Sequence, residues 1–297
     1  MGSQLRIVRR RIRSVQSTMK ITRAMELIAT SRIIKAQQRV EQARPYAELL
    51  TRAMEDVARQ TGSLVHPLLE EREPVEHTGV LVITSDRGLA GAYNTNVLRR
   101  AENLLTAVRA RGAEPVIYVA GKKGGSYFRF RGVPVERAWT GVSEVPPYSA
   151  AEEIGAEMID AFSERRIDEL HAVYTDFRSM LTLRATERRF LPIAPEEVAG
   201  QARGAPHAEY LFEPEPAVIL DDLLPAYIIT KTFAALLESA ASENAARRRA
   251  MKAATENAED LIKVLTRQAN QARQTEITTE IMEIVGGAEA LRQIARD

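Results

Sequence analysis

The chain has 297 residues, enough for one large domain or two ordinary ones, and its 41 basic and 40 acidic side chains leave a formal net charge of +1 that excludes no class of partner. The absence of cysteine excludes a disulfide framework, a thiolate nucleophile, a thiolate-held zinc and an iron–sulfur cluster. The four scattered histidines, His66, His77, His171 and His207, argue against a histidine metal site, and no apolar run approaches the roughly 18 residues of a membrane span.

Glycine and proline divide the sequence. Thirteen of the 16 glycines lie between Gly62 and Gly204. After Gly2 neither residue occurs until Pro45, and neither occurs from Ala226 to Val285. Glycine and proline cost a helix interior about 1 and 3 kcal/mol, so the clean tracts predict long terminal helices. In the first, Ser3 is the expected cap. Leu5, Val8, Ile12, Val15 and Met19 then recur in steps of three and four. The pattern loosens around Met25, Ile28 and Ile33 and resumes as Ala36, Val40, Ala43, Ala47, Leu50, Met54 and Val57. This is the seam of a helix packed along one partner helix. Pro45 is expected to kink or restart it.

The middle alternates strands and helices. Strands are expected at Gly79–Thr84, Pro115–Ala120, Val133–Val135, Glu169–Phe177 and Arg188–Ile193, and helices at Asn96–Arg111, Lys123–Phe130 and Ala150–Glu164. Such alternation predicts a mostly parallel, Rossmann-like sheet with helices on both faces. Residues 195–209 read as a loop. The last helix is expected from Pro214 or Pro216, with Pro225 a possible interruption. Its 3-4 path runs through Ala234, Leu237, Ala241, Asn244, Met251, Ala258, Ile262, Leu265, Ala269 and Ala272, and Gly286-Gly287 is the expected stop. Both helices leave one middle domain, so side-by-side pairing makes them antiparallel. The fold class is therefore α/β: a long antiparallel coiled coil of the terminal helices flanking a mostly parallel sheet domain. Its divisions are 1–60, 75–209 and 210–297. The longer C-terminal helix should project beyond the N-terminal one.

The net charge conceals a cancellation. Residues 1–44 carry 11 basic and 2 acidic side chains, net +9; residues 45–225 carry 20 and 28, net −8; residues 226–297 carry 10 of each. Arg6, Arg9, Arg10, Arg11, Arg13, Lys20 and Arg23 make the first helix basic, and Arg247-Arg248-Arg249 adds a second cluster. A solvated face, a nucleic-acid contact and an acidic protein partner all fit such a helix. A basic zipper is disfavoured because the seam begins at Leu5, inside the basic stretch. A transit peptide is disfavoured because the seam continues through it.

Catalytic signatures are missing. The turn Thr84-Ser85-Asp86-Arg87-Gly88-Leu89-Ala90-Gly91-Ala92 follows a strand and precedes a helix, where anions bind well. It matches neither standard glycine-rich nucleotide motif. Gly121-Lys122-Lys123-Gly124-Gly125 also lacks their spacing, no nucleophile elbow occurs, and the adjacent Glu152 and Glu153 do not share a helix face. No residue is nominated as catalytic, cofactor-binding or metal-binding. A nucleotide-binding enzyme built on the α/β domain is the alternative reading, motivated by the Arg87 turn.

Five stretches carry a resemblance. They are Ile12-Arg13-Ser14-Val15-Gln16-Ser17-Thr18-Met19-Lys20-Ile21-Thr22-Arg23-Ala24-Met25-Glu26; Ser85-Asp86-Arg87-Gly88-Leu89-Ala90-Gly91; Tyr210-Leu211-Phe212-Glu213-Pro214; Ala241-Ser242-Glu243-Asn244-Ala245-Ala246-Arg247, continued by Met251-Lys252-Ala253-Ala254-Thr255-Glu256-Asn257; and Ala272-Arg273-Gln274 with Ile277-Thr278. In this order and at this length they resemble the gamma subunit of F-type ATP synthases over essentially the whole chain.

The resemblance implies a non-catalytic rotor shaft that needs no cofactor. Its helices would turn inside a ring of alpha and beta subunits, and its mixed domain would meet the epsilon subunit and the membrane ring of c subunits. Proton flow would turn it and drive ATP formation on the beta subunits. The resemblance places Arg273, Gln274 and Arg247 at polar contacts with that ring. It places Met25 and Arg87 by the acidic beta-subunit lever. It places Ile277, Ile281 and Ile284 at an apolar tip turning in a sleeve, and Tyr210, Phe212 and Glu213 at the foot against the c ring and epsilon. No nucleic acid is implied, and the membrane is reached only through partners, on the cytoplasmic side of the cell membrane. The missing cysteine pair implies no thiol regulation, and 34 arginines against 7 lysines suggest a GC-rich bacterial genome.

Overall fold

A computed structural model describes residues 2–61, 66–180, 182–194, 197 and 215–294. The first helix, α1, spans Gly2–Thr61, and the last, α5, spans Pro216–Ile294. Pro45 lies inside α1 and Pro225 inside α5, so neither breaks its helix. Pro45 is solvent-exposed. Its ring removes one backbone hydrogen bond, and a long helix packed on both sides of that point absorbs the loss. Gly286-Gly287 is likewise crossed rather than obeyed, because α5 continues to Ile294. The backbone of Ser3 belongs to α1, and its side chain, the expected cap, lies outside the described residues.

Packing divides the chain into two compact units, residues 29–247 and the helical segments on either side of them. The expected divisions at 60 and 210 follow helix ends and linkers, whereas the packing cuts through both helices.

In the larger unit, five strands pair in the order β3-β2-β1-β4-β5. They are β1 (His77–Ile83), β2 (Glu114–Ala120), β3 (Arg137–Trp139), β4 (Glu169–Phe177) and β5 (Leu183–Leu191). The first four are parallel, with Leu81 paired to Tyr118 on one side and Ala172 on the other, and β5 runs antiparallel to β4. Helices α2 (Tyr93–Ala110), α3 (Lys122–Phe130) and α4 (Tyr148–Ser163) connect them. Two expectations shift. Val133 and Val135 are not a strand; they pack against the core beneath α2 and α3, and the edge strand is β3. β5 begins at Leu183 rather than Arg188, in the stretch Leu183-Arg184-Ala185-Thr186-Glu187. Its charged side chains are what a protected sheet edge carries, and they hide it from an apolar-run reading.

The strand period of two builds two cores from one sheet. Val80, Val82, Ile117 and Val119 face α2 and α3, where Val97, Ala101, Leu104 and Phe128 cover them. Leu81, Ile83, Tyr118 and Ala172 face the other way. There Ile154 and Met158 of α4, Met54 and Val57 of α1, and Leu220, Leu224 and Ile228 of α5 close the second core. At ~25 cal/mol per Å² of buried apolar surface, these cores are the main force seating both terminal helices on the sheet.

In the smaller unit, the first turns of α1 pair antiparallel with α5. Thr22 and Thr255 bring their hydroxyls to 2.7 Å, both buried. Leu5 and Ala272 line one surface cleft. From Thr22 back to Leu5 and from Thr255 on to Ala272 are each 17 residues, so the register holds along the pair. Leu5, Val8, Ile12, Val15 and Met19 are half-buried, as the spacing predicts. Where the pattern loosens, the seam runs through Thr22 and Ala29, while Ile28 is exposed. On α5 the path includes Thr255, and Ala234, in the larger unit, is exposed and off it. The pairing leaves the residues from Ile277 onward beyond the facing start of α1, which is the projection expected from the tract lengths.

Candidate functional site

The turn after β1 lies where the strand order reverses, the usual ligand crevice of open α/β sheets. Its chemistry fills that crevice from within. Asp86 Oδ1 accepts the Lys122 N–H at 3.0 Å, at the start of α3, and Asp86 Oδ2 accepts the Ser143 N–H at 3.0 Å. The Asp86 N–H in turn donates to Ser143 Oγ at 2.8 Å. Burial alone would raise the Asp86 pKa, but backbone donors from Gly141, Ser143 and Lys122 hold it below the ordinary carboxyl value. The backbone N–H groups that would cradle a phosphate therefore hold this chain's own carboxylate. Ser85 completes the turn, donating from Oγ to the Arg87 carbonyl at 2.6 Å. Gly121, at φ 107°, stands against it, since a Cβ there would lie 2.1 Å from the Thr84 carbonyl oxygen.

Two of the motifs meet here. Arg247 of α5 donates from Nη2 to the Gly88 carbonyl at 3.3 Å and pairs with Glu243 at 2.5 Å. It is only 5% exposed, and Glu243 is fully buried. Burial pushes the Glu243 carboxyl up, with Arg247 opposing that rise. Burial likewise pushes up the neighbouring Tyr93 phenol, and Glu243 adds to it. Arg87, largely exposed, points its guanidinium toward Glu144 at 3.6 Å, and Arg32 of α1 reaches the same Glu144 oxygen at 2.7 Å. Glu144, Glu243, Ser143 and Arg32 are the residues sequence reasoning missed. The i, i+4 spacing to Arg247 is a local signal for Glu243 alone.

The other candidates lie elsewhere. Met25 is half-buried on α1, and Arg273 and Gln274 are exposed on α5. Ile277, Ile281 and Ile284 are exposed, Ile284 by 72%, and Met282 and Val285 extend the same apolar end. Tyr210, Phe212 and Glu213 lie outside the described residues. Among the described residues no cluster of histidine and carboxylate side chains is suited to a metal, and no helix is long and apolar enough to cross a membrane.

A sequence model of the family described as ATP synthase matches residues 4–291. The ATP synthase gamma chain of Acidothermus cellulolyticus is 55% identical over 295 residues, covering 98% of each chain. That of Parafrankia sp. is 53% identical over 295 residues, covering 98% of this chain and 99% of the other. A rotor chain of the Euglena gracilis mitochondrial ATP synthase shares the fold with a TM-score of 0.65 at 18% identity, covering 93% of this chain and all of that one.

Proposed function

The chain belongs to the family of ATP synthase gamma chains, and from that premise we propose how its surfaces serve the synthase. It is the central rotor shaft of the enzyme, non-catalytic itself, coupling rotation to ATP synthesis carried out on other subunits. The observation that carries the proposal is the registered helix pair whose longer member continues, with exposed Ile277, Ile281 and Ile284, past the start of the shorter. An exposed apolar helix end is unfavourable in water, and a surrounding collar of subunits would cover it.

On this reading α1 and α5 turn inside the alternating alpha and beta subunits. The basic first helix and Arg87 face acidic beta-subunit segments, Met25 lies near the same segments, and Arg273 and Gln274 engage a beta subunit near the apolar tip. Tyr210, Phe212 and Glu213 meet the c-subunit ring and the epsilon subunit. Proton flow through the membrane ring turns the shaft, which sits at the cytoplasmic face of the cell membrane and reaches the membrane only through partners. The self-filled crevice at Asp86 supports the view that nucleotide chemistry belongs to those partners.

The test is charge reversal on an exposed residue. Arg273→Glu breaks no described internal ion pair, so the chain should fold and assemble normally. Proton-driven ATP synthesis in membranes carrying it should fall several-fold. Unchanged synthesis would contradict the assignment.

A further inference from the structure

The turn over residues 87–90 holds a backbone conformation that costs a leucine. Leu89 has φ 63°, in the left-handed region, where the Cβ crowds the following carbonyl oxygen at about 1–2 kcal/mol. Its side chain is 62% exposed, so burial of that side chain offsets little of the cost. Other contacts must hold the turn. Arg247 grips the Gly88 carbonyl, Ser85 grips the Arg87 carbonyl, and Ala90 and Tyr93 pack on Ala246. Arg247 is itself held from both sides. Glu243 pairs with Nη2, and Asn244, anchored to the Ala240 carbonyl at 2.8 Å, accepts from Nη1 at 3.3 Å. A guanidinium so enclosed has little surface to offer another subunit, although the resemblance places it at a polar subunit contact.

We infer that Arg247 is a positioning residue that acts inside the chain, strapping the turn so that Arg87 and Leu89 are presented together, a cation beside an apolar knob, to an acidic segment of a partner that also carries apolar side chains. Glu144 holds Arg87 and Arg32 until that segment arrives, being an internal carboxylate of the kind the partner would supply. The inference deepens the proposed function and rests on it only for the partner. The strap is a property of the single chain and is measurable without any other subunit.

The cysteine-free sequence permits a single nitroxide label at Leu89→Cys in the isolated full chain. Arg247→Gln should raise the mobile fraction of the label roughly tenfold, the equivalent of one lost charge-assisted hydrogen bond. Glu243→Gln, which keeps shape but removes the orienting charge, should give a smaller rise, and Arg267→Gln, on the exposed face of α5, none. Circular dichroism checks that each variant remains helical. If Arg247→Gln does not fold, Glu243→Gln and Arg247→Lys carry the test. An unchanged label spectrum in the folded variants overturns the strap. In the assembled enzyme, Leu89→Ala and Arg87→Gln should each lower coupled ATP synthesis several-fold. A label that loosens while synthesis holds in both would retain the strap and overturn the presentation to a partner.

Discussion

A methyl group added at Gly155 measures how closely α4 and α5 approach. In Gly155→Ala the new Cβ would lie 2.8 Å from Ile229 Cγ1, 3.2 Å from Ile229 Cα and 3.5 Å from Ile229 Cβ. The first contact is relieved by a side-chain shift, but the second needs the α5 backbone to give by a few tenths of an ångström. Alanine gains about 1 kcal/mol of helix propensity over glycine, and overpacking costs about 1–3 kcal/mol, so the variant should lose about 1 kcal/mol net. Ile229→Ala removes Cγ1 and opens a hole at the same place. Alone it should cost about 2 kcal/mol, the low end for isoleucine because the side chain is only half-buried. Combined, the two changes share one space, and the double variant should be at least 1 kcal/mol more stable than the sum of the singles. Urea unfolding of the full chain, followed by helical ellipticity, gives the four midpoints. Additivity within about 0.4 kcal/mol would show that the residues do not press on each other and would refute the reasoning.

Two further outcomes are expected. Burial, with Asp176 adding to it and Arg188 opposing, raises the Glu238 carboxyl from 4.5 to about 7. The folded state therefore binds the proton more tightly than the unfolded one, and this stabilisation is full below pH 4.5 and lost as pH rises through about 7. The displacement corresponds to about 3 kcal/mol, so unfolding midpoints should fall as pH rises from about 4.5 to about 7 and level off above that, and Glu238→Gln should flatten that slope; an equal slope in the variant would remove Glu238 as its source. At Gly286 and Gly287 an added Cβ meets nothing within 4 Å, so Gly286→Ala with Gly287→Ala should stabilise the end of α5 by about 1 kcal/mol per residue. Amide exchange around residues 282–290 should slow roughly fivefold or more, and unchanged exchange would mean that these glycines do not limit the helix.

Glycine and proline spacing exposed the architecture well. The two clean tracts gave the terminal helices, and the apolar runs Gly79–Thr84 and Pro115–Ala120 gave the strands at the sheet centre. Local rules failed where packing overrode them. Gly286-Gly287 reads as a stop and Pro225 as an interruption because propensity counts only the chain itself, yet α5 runs through both. The apolar seam breaks near Ile28 because Thr22 and Thr255 are polar, and their mutual hydrogen bond is what admits them to a buried position. The candidate site divided in the same way. The resemblance nominates Arg87 and Arg247, but that they share one turn, through the Gly88 carbonyl, depends on the chain folding back across a separation of 159 residues. Glu144 and Ser143 sit in a stretch with no periodicity, and nothing local marks them.

The two-sided sheet also sets the path of mechanical load. Both terminal helices are bonded into the core on one side of β1, and that core contains none of the buried residues of α2 or α3. Torque entering through α1 or α5 would reach α2 and α3 mainly by way of the strands, whose hydrogen-bonded pairs are stiff in shear, with one direct contact from α5 at Tyr93, where α2 begins. The outer half of the domain is thus a follower carried by the sheet. A bead or dye attached there, at Gly125 for example, where an added side chain meets nothing, would report angle while staying outside the line of force.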